Sequence, residues 1–93
     1  MIFIDNDSPQ IKRLFTEIRN LIILSLASGQ RTINQIASET KINWKTVDRH
    51  LVYLIGKSLA KEVFSSPYVR IFQLTAFGKD YIKRNISKEI SIS

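Results

Sequence analysis

A small, mostly helical α+β fold is predicted for this chain by three observations. Apolar residues recur at three- and four-residue spacing through three successive stretches between residues 9 and 57. Two short runs rich in β-branched and aromatic residues, Leu59 to Ser65 and Tyr68 to Leu74, flank a Ser66-Pro67 turn. A further capped helical stretch then begins at Thr75. With 93 residues there is room for one domain, residues 1–93, with an N-terminal extension over 1–7 and a tail over 87–93.

The first helix starts at Ser8-Pro9, a hydroxyl that caps free amides followed by a proline whose fixed φ suits the first helical position. Ile11, Leu14, Phe15, Ile18, Leu21, Ile22 and Leu24 to Leu26 give it an apolar face, and Ser28-Gly29 ends it. Thr32 to Gln35 has the spacing of a capping box, which opens a short helix over Ile33 to Thr40 with Ile33, Ile36 and Ala37 turned inward. Lys41-Ile42-Asn43 interrupts the pattern. Asn43 then caps a third helix, Trp44 to Lys57, with Gly56 near its end. Pro67 falls in the hairpin turn, where it removes no ladder hydrogen bond. Thr75 caps a last helix, Ala76 to about Ile86, with Phe77, Tyr81 and Ile82 on one side.

Helix, helix, helix, hairpin, helix is the winged helix-turn-helix plan: a three-helix core, a β-hairpin wing and a C-terminal helix. Two helices joined by a three- to four-residue turn make the helix-turn-helix, whose second helix enters the major groove of DNA. Charge agrees with such a partner. Lys and Arg number 14 against eight acids, a net +6, and two of those acids, Asp5 and Asp7, lie in the first seven residues. The other 86 residues carry 14 basic and six acidic side chains, +8, a balance that favours a polyanion through phosphate neutralisation.

At about 100° per residue, Val47, Leu51 and Leu54 form the inward stripe of the third helix, with Ile55 beside it. Arg49 and Tyr53 are expected at the centre of the opposite face, flanked by Lys45, Thr46 and Val52. Arg pairs bidentately with guanine, Thr and Val touch a thymine methyl, and Lys and Tyr reach phosphate. Trp44 falls about 20° from Leu51 and is expected to pack on the core or the first helix. Asp48 also lies toward the core side, where it meets first-turn amides or an adjacent cation. Supporting DNA contacts are expected from Asn43 at the head of the helix, from Thr32, Asn34 and Gln35 where the second helix crosses the backbone, and from Ser66, Tyr68 and Arg70 in the wing over 65–70.

Other chemistries lack their residues. There is no cysteine and a single histidine, His50, so neither a disulfide nor a zinc site is expected. His50 reads as a half-buried polar group at a helix flank. No Ser/His/Asp set, paired carboxylates or glycine-rich phosphate loop is present, so neither catalysis nor a cofactor is expected. Met1 to Ile4 is too short for a signal peptide, and no run approaches a membrane span, so a soluble, cytoplasmic protein is expected.

The stretch from Ile42 to Leu59, INWKTVDRHLVYLIGKSL, resembles the recognition helix of ArsR- and MarR-type winged helix regulators, approximately S-x-x-T-V-x-R-H-L-x-x-L-x-x-x-G-L. Gln73 to Gly78, QLTAFG, is similar to their Y-x-L-T-x-x-G segment after the wing. The match covers about residues 30 to 86. It implies transcriptional regulation by a homodimer paired through the first and last helices, and the short, cysteine-free, isoleucine- and lysine-rich form looks most like archaeal examples, including those of archaeal viruses and plasmids, which would act in the host cytoplasm. Two departures stand out. Gly56 comes earlier than the usual helix-ending glycine, where this chain has Ser58-Leu59, and the metal-binding cysteines of the ArsR sensors are absent. The dimer has separate support in Leu21 to Leu26, which places apolar residues around nearly the whole first helix. Two rival readings remain open: an architectural DNA coater with little sequence preference, and a protein-interaction module that kept the fold and lost DNA.

Overall fold

The computed structural model describes residues 9–86, with side chains from Leu14 onward. The Ser8 cap, the extension over 1–7 and the tail over 87–93 lie outside the described residues. Helix α1 (Pro9–Ala27) leads through a two-residue strand β1 (Arg31–Thr32) into helices α2 (Ile33–Thr40) and α3 (Trp44–Gly56). Strands β2 (Ala60–Ser65) and β3 (Arg70–Leu74) follow, then helix α4 (Ala76–Tyr81), which widens into a π-helical turn over Ile82–Ile86. Strand β1, absent from the sequence reading, adds to β3, so the sheet is antiparallel with order β1-β3-β2.

Local chemistry sets the joints. Thr32 and Gln35 make the capping box: Thr32 Oγ1 accepts from the Gln35 amide at 3.1 Å, and Gln35 Oε1 accepts from the Thr32 amide at 2.8 Å. Asn43 Oδ1 caps α3 by accepting from the Lys45 amide at 2.8 Å. The exit from α3 explains the displaced glycine. Ser58 stands in the left-handed region at φ 63°, its amide donating to Ile55 O and the Leu59 amide reaching back to Leu54 O at 2.8 Å. This is the helix-ending position that glycine fills without strain, and here a serine fills it. Gly56 is the helix's last residue and has no positive φ.

Ile22, Ile23 and Leu26 of α1, Ile36 of α2, Val47, Leu51 and Leu54 of α3, and Phe72 and Leu74 of β3 are fully or almost fully buried together with Leu59, Ala60 and Ile86. Each large aliphatic side chain so buried contributes about 1.5–3 kcal/mol. Ile33, Ala37, Tyr81 and Ile82 pack against this core as half-buried neighbours, whereas Phe77, expected on the same side as Tyr81 and Ile82, is 60% exposed. Glu39 ties three elements: it accepts from Ser25 of α1 at 2.6 Å and from Arg31 of β1 at 3.0 Å. The Ser25 hydroxyl and Arg31 together hold its carboxyl below the usual range.

In the wing, cross-strand partners share a face, and Arg70, Phe72 and Leu74 alternate on the core side of β3. A bulge between Glu62 and Phe64 shifts the register of β2. Pro67 and Tyr68 form the turn, closed by the Ser66 amide donating to Val69 O at 2.9 Å. No described helix is long and apolar enough to cross a membrane.

Candidate nucleic-acid interface

The face of α3 away from the core is narrower than the sequence wheel indicates, and it is turned. Val47, His50, Leu51 and Leu54 are the buried residues of α3. Their mean direction puts Lys45, Arg49, Val52 and Gly56 opposite, at about 100° per residue. All four are exposed. Thr46 is half-buried at the edge of this strip. Arg49 and Lys45 meet no carboxylate among the described residues, so their charges stand unneutralised.

Tyr53 does not occupy the centre of this face. The Arg19 guanidinium of α1 covers its ring at 4.1 Å, and Lys57 Nζ lies 5.7 Å from the same centroid. Tyr53 therefore marks the edge of α3 that meets α1. His50, on the same side, is only 8% exposed. Burial first, then the cations Arg19 and Arg49, push its imidazole below the ordinary value of 6.5.

Trp44 corrects the sequence reading in the other direction. It is 53% exposed instead of packed on the core or on α1, because it opens α3 on the edge facing the wing, beyond the reach of the core. There it lines a cleft of about 220 Å³ with Thr32, Ile33 and Asn34 at the head of α2 and with residues Ser66 to Arg70 of the wing. Lys45 Nζ lies 5.9 Å from the Trp44 ring. The cleft brings together five of the expected contacts, Thr32, Asn34, Ser66, Tyr68 and Arg70. Asn43 and Gln35 stand outside its lining and are both exposed.

Not all of these groups are free to bind. The Thr32 hydroxyl and the Gln35 side-chain oxygen are used by the capping box. Ser66 Oγ accepts from the amides of Tyr68 and Val69 and so holds the turn. Arg70 donates to Glu62 at 2.7 Å, lies 3.5 Å from Asp48 of α3 and stacks over Phe72. Its hydrogen bond lowers the Glu62 carboxyl and holds Arg70 charged. Arg70 therefore fastens the wing to α3, and Asp48 meets the adjacent cation foreseen for it. Tyr68, 96% exposed, is the wing's free tip. Sequence reasoning missed Arg19, whose place on a largely apolar helix gave no sign that it would reach α3. Among the described residues no group of three or more potential metal ligands lies together.

A second helix laid outward across a helix-turn-helix, with a hairpin beside it, is the winged helix-turn-helix architecture of DNA-binding regulators. More particularly, residues 16–60, from α1 to the start of β2, match the profile of the family described as bacterial regulatory protein, arsR family. In structure the chain is similar to a mutant of ZitR of Lactococcus lactis in apo form, with a TM-score of 0.73 and 22% identity over 89% of this chain and 64% of that one. It is also similar to RosR of H. salinarum, with a TM-score of 0.72 and 19% identity over 80% of this chain and 73% of that one. A MarR family transcriptional regulator from Silicibacter pomeroyi DSS gives a TM-score of 0.72 and 26% identity over 87% of this chain, which spans 55% of that protein. No curated protein matches by sequence. What these structures share with the chain is the winged helix-turn-helix fold.

Proposed function

We propose that this chain is a sequence-specific double-stranded DNA-binding transcriptional regulator that acts as a homodimer. The carrying observation is the pair of unneutralised cations, Lys45 and Arg49, on the outer strip of the second helix of the helix-turn-helix. In this reading α3 lies in the major groove with Arg49 on a base edge, Lys45 on phosphate, and Thr46 and Val52 beside apolar base surface. Asn43, Asn34, the Gln35 amide and Thr32 follow the backbone at the heads of α3 and α2. Trp44 and Tyr68 line the flanking strand across the wing cleft, and Arg70 with Ser66 sets the wing's position while facing the same strand. The family profile and fold are those of regulators, and no catalytic step or cofactor is assigned.

Leu14, Phe15 and Leu21 on α1 and Phe77 on α4 remain exposed, apolar surface that suits pairing through the first and last helices. Twofold pairing would set two α3 helices roughly 34 Å apart on a palindromic site in the cytoplasm. Arg49→Ala tests the contact: it is expected to relax preference at one base pair at a cost of about 1–3 kcal/mol. Unchanged binding and preference would remove Arg49 from the interface. Sedimentation at tens of micromolar tests the dimer, and a monomer would remove it.

A further inference from the structure

The arginines with described side chains divide by partner. Arg31, Arg70 and Arg84 each meet a carboxylate, whereas Arg19 and Arg49 meet none among the described residues. Both lie near enough to His50 to oppose its protonation. Arg19 is fixed by its stack on Tyr53, and Lys57 shares that ring from the end of α3. Arg19 Nε is shielded from solvent and has no acceptor among the described residues. A buried donor left unpaired in a gathering of like charges is costly, and a bound anion offsets both effects.

Two sources of that anion are distinguishable by position. Arg19 shares the α3-facing side of α1 with Ile23 and Leu26, roughly 150° from Leu14, Leu21 and Glu17 at helical spacing. A second copy seated on Leu14 and Leu21 would therefore bring its carboxylates to the wrong side; of the exposed apolar residues of α1, only Phe15 lies one turn from Arg19. Arg49 and Tyr53, in contrast, are one turn apart on α3, so the cluster continues the outer strip toward α1.

We propose that Arg19 and Lys57, held on the Tyr53 ring, form a phosphate site that takes a DNA backbone phosphate beside the groove entered by α3. This makes α1 part of the nucleic-acid interface, and it rests on the DNA-binding reading above. Binding of a duplex carrying the selected site is measured between about 0.05 and 0.5 M salt for wild type, R19Q, R19K, K57Q and R49A. One lost phosphate contact lowers the slope of log K against log salt by about 0.9, about an eightfold weakening at 0.1 M relative to 1 M. R19Q and K57Q each show that loss while keeping the wild-type base preference. R19K retains the slope, and R49A loses preference instead. K57Q alters only an exposed side chain at the helix end, so it carries the test should R19Q fail to fold. Wild type that binds duplex while R19Q or K57Q keeps its slope overturns this proposal alone; wild type that binds no duplex at low salt overturns it together with the reading it rests on.

Discussion

Gly78→Ala is expected to damage the joint between the wing and the last helix. A Cβ at Gly78 would overlap the Leu59 carbonyl oxygen and stand 3.1 Å from both the Leu59 carbonyl carbon and Leu74 Cδ2. That oxygen accepts the Thr75 amide at 3.1 Å, and Thr75 Oγ1 donates to Ser58 O at 2.6 Å and accepts from the Gly78 amide at 2.9 Å. The neighbour is thus backbone pinned by its own hydrogen bonds and cannot swing aside. Overpacking of this kind costs about 1–3 kcal/mol, here near the upper end. Alanine recovers about 1 kcal/mol of helix propensity, which leaves a net loss of about 2 kcal/mol. For a domain of this size that lowers Tm by about 8–16 °C. Thermal melts followed by circular dichroism measure it, with Gly56→Ala as the matched control. Beyond its chain neighbours and the backbone of its own helix, nothing lies within 4 Å of a Cβ at Gly56, so that variant is expected to melt at or somewhat above the wild-type temperature. Gly78→Ala melting within about 2 °C of wild type would refute the packing argument.

Ser58→Gly relieves a left-handed serine at the end of α3 and is expected to stabilise by about 0.5–1 kcal/mol, read as a rise in Tm; a fall would show that the serine is not strained there. Thr32→Ala removes one half of the capping box and is expected to cost about 1 kcal/mol in denaturant titrations, while an unchanged midpoint would show the box to be dispensable. His50 has a folded pKa below the 6.5 of the free side chain, so the unfolded chain takes up its proton first as pH falls. Its stability is full above about pH 6.5 and is lost as pH drops toward the folded pKa. His50→Gln is expected to flatten that slope below about pH 6.5, and an equally steep loss in the variant would assign it to other groups.

The elements were legible in the sequence wherever one short-range rule decided them. Thr32 with Gln35, Asn43 and Thr75 each announce a helix start, and each makes the predicted capping bond. Strand β1 escaped because two residues carry no periodicity, and Thr32 serves there both as strand and as helix cap. The site was less legible because it depends on where neighbouring elements lie. Placing the core around Leu51 put Trp44 inside and Tyr53 outside. The buried His50 moves the core's direction toward α1, which leaves Trp44 facing the wing and Tyr53 beneath Arg19. Arg70 looked free in sequence, yet the strand register sets it beside Glu62 and Phe72 and within reach of Asp48.

Whether α3 reads DNA sequence is decided by equilibrium binding to a site selected from randomised duplexes against a scrambled duplex of equal length, at about 0.05 and 0.2 M salt. A preference for the selected site of about 10³-fold or more, persisting at the higher salt, is expected. Equal affinity for both duplexes, falling together steeply with salt, or no binding to either, would contradict it.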